Sequence, residues 1–250
     1  MNNFRNYFPV FKEKIYLDFA SISPFSLIHK NCFEEAYQIQ ERFDVDILEK
    51  LLTLKVELKN KIGNFIGASK EDYISLIPNT SYGISLLASG LGLKEGDRVL
   101  LPFCEFPANV YPFLYLKEKG VEVDFFKPEK GMITLEQIKN NLHKNTKLVS
   151  LSFVQFLNGF MAPLEEIGKF LRERGIIFIV DGIQGVGICP MDVQKFFIDG
   201  LSCGGAKWLM WPMGTGFLYV SKNIFEKIKP PVVGWLSVKE PWDFLNYHME

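Results

Sequence analysis

The pattern of apolar and polar residues changes character along the chain. Residues from about 27 to 66 carry leucines at helical spacing and are predicted to be helical. From Tyr73 onward, short apolar runs alternate with amphipathic segments. Strands are predicted at 74–77, 98–103, 121–126, 147–154, 176–181, 201–203 and 216–220, and helices at 82–91, 108–119, 134–142 and 164–174. This alternation predicts an α/β fold in which helices cover both faces of a mostly parallel sheet.

Such a sheet binds its ligand beyond the carboxyl ends of its strands, so polar residues there are the candidates for chemistry. Asp181 ends the apolar run 176–180, and glycines follow it. Lys207 lies among glycines and large apolar residues, a setting that favours a neutral, nucleophilic amine. Thr80 and Ser81 follow the first strand at the start of a helix, where backbone N–H groups suit a phosphate. Taken singly, each has a simpler alternative: the carboxylate and hydroxyls could cap helices, and the lysine could lie on the surface.

Charge and composition narrow the partners. The 250-residue chain has a formal net charge of -1, which gives no electrostatic basis for binding nucleic acid or a membrane surface. The apolar runs are too short to span a bilayer, and the polar start lacks the apolar core of a signal peptide. The four cysteines form no Cys-x-x-Cys pair and the three histidines lie far apart, so no metal site is expected. These features predict a cytoplasmic protein with free thiols.

The order of the candidate residues resembles one family. A hydroxyl turn at Thr80 is followed by an aromatic residue after a strand, Phe106, and then by Asp181 and Lys207. The run Val180-Asp181-Gly182-Ile183-Gln184, with the lysine downstream, is the most specific part. This order resembles the class V aminotransferase group of fold-type I enzymes, which depend on pyridoxal 5'-phosphate (PLP). The group includes cysteine desulfurases, selenocysteine lyases, kynureninase and isopenicillin N epimerase, and the resemblance covers nearly the whole chain.

The resemblance implies a catalytic role for two residues. Lys207 matches the lysine that holds the cofactor as a Schiff base and later moves the alpha proton as general base. Asp181 matches the aspartate that pairs with the pyridine nitrogen and keeps it protonated, so that the ring accepts electrons. The resemblance therefore assigns the chemistry of the site to this pair.

Four further residues match positions that bind the cofactor in this group. Thr80 and Ser81 match the pair that cradles the phosphate. Phe106 falls where a flat ring stacks on the pyridine, and Gln184 matches the residue that hydrogen-bonds the ring hydroxyl. Together with Asp181 and Lys207, these are the expected cofactor-binding residues.

The sequence also departs from parts of the group. Desulfurases and selenocysteine lyases carry a histidine where Phe106 stands, and phenylalanine can stack but cannot move a proton. Gly-Gly-Ala at residues 204–206 replaces a Ser-Gly-His before the lysine. Phe106-Pro107 and the Gly-Trp pair at 234–235 are more similar to kynureninase, which has a histidine where Gln184 stands. The subfamily therefore stays open.

The resemblance also sets the expected organisation. Residues 1–70 would form an N-terminal segment with helices, 71–235 the three-layer PLP-binding large domain, and 236–250 the start of a shortened C-terminal region. Enzymes of this group continue into a small domain that supplies an arginine for the substrate carboxylate, and here that domain is expected to be largely absent. Their sites lie at a dimer interface, which predicts a homodimer in which Thr215 and Trp235 reach across.

The function implied is a PLP-dependent enzyme that acts on a small-molecule amino acid through a Lys207 Schiff base, with transferase and lyase chemistry both open. One alternative is a carbon–sulfur, carbon–selenium or kynureninase-like lyase. Another is a catalytically inactive PLP-fold binding protein, motivated by the expected loss of the carboxylate clamp. An NAD-binding enzyme is disfavoured because no Gly-x-Gly-x-x-Gly follows the early strands.

Overall fold

The computed structural model describes residues 4–42, 46–69, 73–245 and 247, and these are built around one sheet. Seven strands form it in the order β1-β7-β6-β5-β4-β2-β3. Neighbouring strands are parallel except for β7, which is antiparallel to both β1 and β6. The strands are β1 (Ile74–Ile77), β2 (Arg98–Pro102), β3 (Glu122–Phe126), β4 (Thr146–Ser152), β5 (Ile177–Asp181), β6 (Gly200–Gly204) and β7 (Gly216–Val220). The predicted α/β fold with a mostly parallel sheet is confirmed.

The helices follow the predicted alternation. They are α1 (Val10–Glu13), α2 (Leu27–Glu41), α3 (Ile47–Phe65), α4 (Thr80–Gly90), α5 (Tyr111–Tyr115), α6 (Leu135–Asn141), α7 (Leu164–Arg172) and α8 (Lys222–Phe225), with 3₁₀ turns at Phe4–Tyr7, Pro107–Asn109, Leu116–Lys119 and Trp235–Ser237. Residues 43–45, inside the predicted helical region 27–66, and the predicted domain boundary at 70–71 lie outside the described residues. Within the described ranges, no helix is both long and apolar enough to cross a bilayer.

One predicted helix differs in kind. The segment 108–119 was expected to be a single helix, but the structure has a 3₁₀ turn, the short α5 and a second 3₁₀ turn. Pro107 and Pro112 lack a backbone N–H, and proline is tolerated only in the first turn of a helix. Each proline stands at the start of a short element, so this sequence favours several brief turns over one regular helix.

The core lies on both faces of the sheet. Along β5, Phe178 and Val180 face one apolar cluster, whereas Ile177 and Ile179 face the other. Helix α7 covers the first cluster with Leu164, Ile167 and Leu171, and α4 covers the second with Ile84, Leu87 and Ala88. Because both faces are covered, the central strands are continuously apolar, as the sequence pattern indicated.

A tight contact brings the start of α4 to the end of β6. The Ser202 hydroxyl donates to the Thr80 carbonyl at 2.9 Å, and the Gly204 N–H donates to the Thr80 hydroxyl at 2.9 Å. Gly83 lies against Ser202 so closely that a Cβ atom there would be 2.2 Å from the serine oxygen. The glycine therefore allows α4 to begin at the same edge of the sheet as the carboxyl ends of β5 and β6.

Candidate functional site

Asp181 is the last residue of β5, and its side chain is buried at the carboxyl edge of the sheet. One carboxylate oxygen, Oδ1, accepts a hydrogen bond from the Ile183 N–H at 3.0 Å. The other, Oδ2, is buried and has no hydrogen-bond partner among the described residues. The pKa of Asp181 is raised to about 7, mainly by burial; the negative charge of Glu105 acts in the same direction, whereas the Ile183 hydrogen bond and the charge of Lys207 oppose the rise. A buried carboxylate oxygen without a donor is costly, and a cationic N–H donor would satisfy it.

Lys207 lies in the loop after β6 at the same edge of the sheet. Burial lowers the pKa of this half-buried amine, while the negative charges of Asp181 and Asp18 act in the opposite direction. The Nζ atom is 5.8 Å from the centre of the Phe106 ring. The expected apolar surroundings are therefore present, and they favour a neutral amine that can act as a nucleophile or proton acceptor.

The two hydroxyls at the start of α4 differ in environment. The Thr80 side chain is buried, and its oxygen accepts from Gly204, which leaves the hydroxyl proton free to donate to a ligand. Ser81 is exposed. Asn79 caps the helix, because its side-chain oxygen accepts from the Tyr82 N–H at 2.9 Å. The capping role that the sequence left open for the hydroxyls thus falls to Asn79.

Phe106 follows β2 and is 43% exposed. Its ring meets that of Phe156 edge to face, with 5.2 Å between the ring centres. One open side of the ring thus faces the space beside the Lys207 amine. This placement leaves an aromatic surface available for a flat ligand.

Gln184 binds protein groups in this structure. Its Oε1 accepts from the Trp208 indole N–H at 2.9 Å, and its Nε2 donates to the Ala20 carbonyl at 3.0 Å. The backbone N–H of Ser23 donates to the Ala206 carbonyl at 2.8 Å. The N-terminal segment is therefore held against the loop that carries the candidate Schiff-base lysine, and Gln184 is one of its anchors.

A buried carboxylate that the sequence analysis did not select lies beside these residues. The Glu105 oxygens accept from the Asn109 amide at 3.0 Å, the Ser152 N–H at 2.9 Å, the Ser152 hydroxyl at 2.5 Å and the Gln155 amide at 2.5 Å. Burial raises the pKa of Glu105, and these donors oppose that rise. The available signal was an acidic residue placed shortly after the apolar strand β2, immediately before Phe106.

Thr215 and Trp235 lie at separate places. The Thr215 carbonyl accepts from the Gly205 N–H at 2.8 Å, next to the lysine loop. Trp235 is 52% exposed, and its ring lies 5.1 Å from that of Trp242. Both therefore remain candidates for contact with a second copy of the chain. Among the described residues, no group of three or more His, Cys, Asp or Glu side chains is arranged to hold a metal ion.

Comparisons with known proteins agree with this arrangement. The sequence profile described as Aminotransferase class-V matches residues 33–241. A probable cysteine desulfurase from Pyrococcus abyssi is 32% identical over 93% of this chain and 59% of its own length. A probable cysteine desulfurase from Methanothermobacter thermautotrophicus is 29% identical over 90% of this chain and 58% of its own. The chain thus spans somewhat less than 60% of the length of these relatives.

Solved structures are similar over the same extent. The apo structure of a cysteine desulfurase from Thermococcus onnurineus NA1 is 30% identical, with a TM-score of 0.83, and covers 92% of this chain and 59% of its own. A structure of the cystine C–S lyase C-DES with its product cysteine persulfide is 25% identical, with a TM-score of 0.87 over 92% of this chain and 63% of its own. The similarity therefore extends over most of this chain and about three fifths of each solved structure.

Proposed function

The chain belongs to the class V aminotransferase family, and from this premise we propose that the carboxyl edge of its sheet binds pyridoxal 5'-phosphate, the cofactor this family uses. The observation that carries the proposal is the buried Asp181 Oδ2, which has no donor among the described residues and is accompanied by Lys207. A protonated ring nitrogen supplies the cationic donor that this oxygen lacks. The residues present therefore fit the cofactor.

The remaining candidates fit the other parts of the same molecule. Lys207 has the amine that would bind its aldehyde as a Schiff base, and Phe106 has the flat surface for its ring. Thr80 and Ser81 would hold the phosphate at the start of α4, where the helix dipole favours an anion. Gln184 would bind the ring hydroxyl. To do so, its side-chain amide must give up, or share with the ligand, its hydrogen bond to Trp208 or to Ala20. When bound, the cofactor supplies an electron-accepting ring for a substrate carbanion.

The chain's own groups would then divide the proton chemistry. The Lys207 amine, with its pKa lowered mainly by burial, would accept a proton from a substrate carbon more readily at a given pH than an ordinary lysine, because more of it is neutral. The Asp181 carboxylate would favour the protonated form of the ring nitrogen by its negative charge. The N-terminal segment, held by hydrogen bonds at Gln184 and Ala206, would lie beside the bound cofactor and could limit access of water to it. These roles support an enzyme acting at the alpha or beta carbon of an amino acid.

A carbon–sulfur lyase acting on cysteine or a related amino acid is the second candidate. It is favoured by the names of the relatives, which are probable cysteine desulfurases, and by the similarity to the C–S lyase structure. Phe106 weighs against a desulfurase in which a side chain at this position moves a proton. We propose further that the protein works in the cytoplasm and forms a homodimer. Light scattering on the purified chain tests the dimer, and cell fractionation tests the compartment.

Borohydride reduction tests the cofactor bond. The purified chain incubated with PLP should develop a visible absorbance band, and reduction should label Lys207, as located by peptide mass spectrometry. Lys207→Ala should lose the band and the label, whereas the matched variant Lys169→Ala, on α7, should keep both. A label on another lysine that persists in Lys207→Ala would reject the assignment.

An amino-acid panel separates the functional candidates. The reduced label establishes binding, after which L-cysteine and other amino acids are tested for spectral change, sulfide release and keto-acid formation. Sulfide release from L-cysteine would favour the lyase, and amino-group transfer would favour the transaminase. A cofactor-loaded protein that changes with none of them would favour the inactive binding protein.

A further inference from the structure

The Glu105 carboxylate has an unusual set of partners. It is buried after β2, and all four of its donors are uncharged groups from Asn109, Ser152 and Gln155. In the part of the chain that the structure describes, no lysine, arginine or histidine forms an ion pair with it. Two donors point at each oxygen, which fills the acceptor sites of an ionised carboxylate and leaves little place for a proton on either. The network is therefore built to hold a negative charge without a cation.

This charge is connected to the candidate site in two ways. Glu105 precedes Phe106 directly, so the hydrogen bonds to β4 fix the turn that presents the aromatic ring. Ser152, which donates twice to Glu105, is also the residue that pairs with Asp181 in the register between β4 and β5. The side chain of Asn109 is itself fixed by a hydrogen bond with the Ser150 hydroxyl at 2.6 Å. The carboxylate thus links the turn, β4 and the end of β5.

We propose that Glu105 is a positioning residue for the cofactor: its ionised, buried carboxylate fixes the turn that carries Phe106 and adds a second negative charge behind Asp181. The inference rests on the proposed function, because the cation that these two charges would favour is the protonated ring nitrogen. With one carboxylate alone, the site would hold that cation less strongly. With both, the field at the floor of the site favours a cationic ring over a neutral one.

The expected consequence is a dependence of cofactor binding on pH. The titratable groups that face Asp181 are Glu105 after β2, Cys203 on β6 and Lys207 in the following loop. Asp18, from the N-terminal segment, acts on Lys207, and Cys104 lies next to Glu105. Because the charge of Glu105 raises the pKa of Asp181, its removal should let Asp181 stay ionised to lower pH.

Glu105→Gln removes the charge with little change of shape. In this variant the amide nitrogen would take the place of Glu105 Oε2. It would face the Ser152 hydroxyl, which can accept a hydrogen bond, and the Asn109 side chain. The Asn109 amide can rotate by 180° to present its oxygen, because its other partner, the Ser150 hydroxyl, can also accept. Asp199→Asn, which removes a buried charge far from the site, is the control. Asp199 accepts from the Phe178 N–H and pairs with Arg172, and it lies at the opposite end of β5.

Two measurements are made on wild type, Glu105→Gln and Asp199→Asn. The first is the PLP dissociation constant between pH 5 and 9. We call the pH below which PLP binding is lost the acid limit of binding. We expect it to move down by about one pH unit in Glu105→Gln and to stay in place in Asp199→Asn. The second uses the cofactor-free chain. The pKa of the Cys104 thiol, raised to about 11 by burial and by the Glu105 charge, should fall in Glu105→Gln, so iodoacetamide should label Cys104 faster.

The outcomes separate this inference from the proposed function. A wild-type chain that binds no PLP rejects the proposed function, whatever the alkylation result. PLP binding with an acid limit that is unmoved in Glu105→Gln, or that moves equally in Asp199→Asn, overturns the role of Glu105. If Glu105→Gln does not fold, ¹³C NMR of wild type labelled at glutamate carboxyls replaces it. A Glu105 that is protonated at pH 8 in that spectrum overturns the inference, and an ionised one supports it.

Discussion

Asp181→Asn should stabilise the cofactor-free chain while weakening cofactor binding. In the absence of a ligand, the Oδ2 atom is buried without a donor, so ionising Asp181 in the folded state is costly. Asparagine is uncharged at every pH, keeps the shape of the side chain and retains an oxygen to accept from Ile183. The substitution therefore removes the cost of the charge and with it the attraction for a cationic ring.

The size of the effect follows from the pKa. Burial raises the pKa of Asp181 from 3.8 to about 7, and at 1.36 kcal/mol per pH unit this corresponds to about 4 kcal/mol. Since the pKa in the folded state lies above that of the unfolded chain, the unfolded chain loses its proton first as pH rises. Wild type therefore loses up to about 4 kcal/mol of stability between about pH 4 and pH 7, and Asp181→Asn does not.

Urea denaturation of both cofactor-free chains at pH 5 and pH 8 measures the difference. The free energy of unfolding of Asp181→Asn should exceed that of wild type by a margin that grows by a few kcal/mol between these pH values. The PLP dissociation constant of Asp181→Asn at pH 8 should rise by roughly 100-fold, the scale of one lost electrostatic contact. A stability difference that is the same at both pH values would show that Asp181 does not carry the buried charge.

Two further predictions concern the start of α4. Thr80→Val leaves the buried Gly204 N–H without its acceptor and should lower the free energy of unfolding by about 1–3 kcal/mol. Ser81 is exposed, so Ser81→Ala should change the free energy of unfolding by less than about 0.5 kcal/mol. Equal changes in the two variants would contradict the contact between Thr80 and Gly204. Gly83→Ala would bring a Cβ to 2.2 Å from the Ser202 oxygen and should cost about 1–3 kcal/mol in urea denaturation. Gly63→Ala, on α3, is the control: its Cβ would lie 3.9 Å from the Ala68 side chain, an ordinary contact, and it should be neutral or stabilising. Equal stability of the two alanine variants would refute the close approach.

The sequence predicted the fold because its signals are local. Buried strands such as β5 are continuous apolar runs, and α7 has an amphipathic pattern, so both can be recognised from neighbouring residues. Asp181 was selected because it ends a strand of this kind, and Lys207 because it follows a short strand among glycines and large apolar residues. The break of the predicted 108–119 helix does not show in the spacing of its apolar residues. It is caused by Pro112, which can stand only in the first turn of a helix.

The partners of the site residues could not be predicted in the same way. Gln184 bonds to Ala20, which is 164 residues away in the chain, and Glu105 bonds to a residue 47 positions away. Such contacts depend on the order of strands in the sheet, which the apolar pattern leaves undetermined. Glu105 follows a predicted strand, but its four donors come from the end of β4, from Gln155 just after it and from Asn109 in the 3₁₀ turn.

The antiparallel strand β7 also has a consequence for how the protein folds. Because β1 pairs only with β7, residues 74–77 cannot join the sheet until residues 216–220 have been synthesised and have docked beside β6. The start of α4 contacts β6 directly, but the strand that leads into α4 takes its place in the sheet only when β1 has paired with β7. Pairing across so many residues carries a large loop-closure entropy, which slows folding. The proposed phosphate site at the start of α4 would therefore be completed only once β7, the last strand in chain order, has docked.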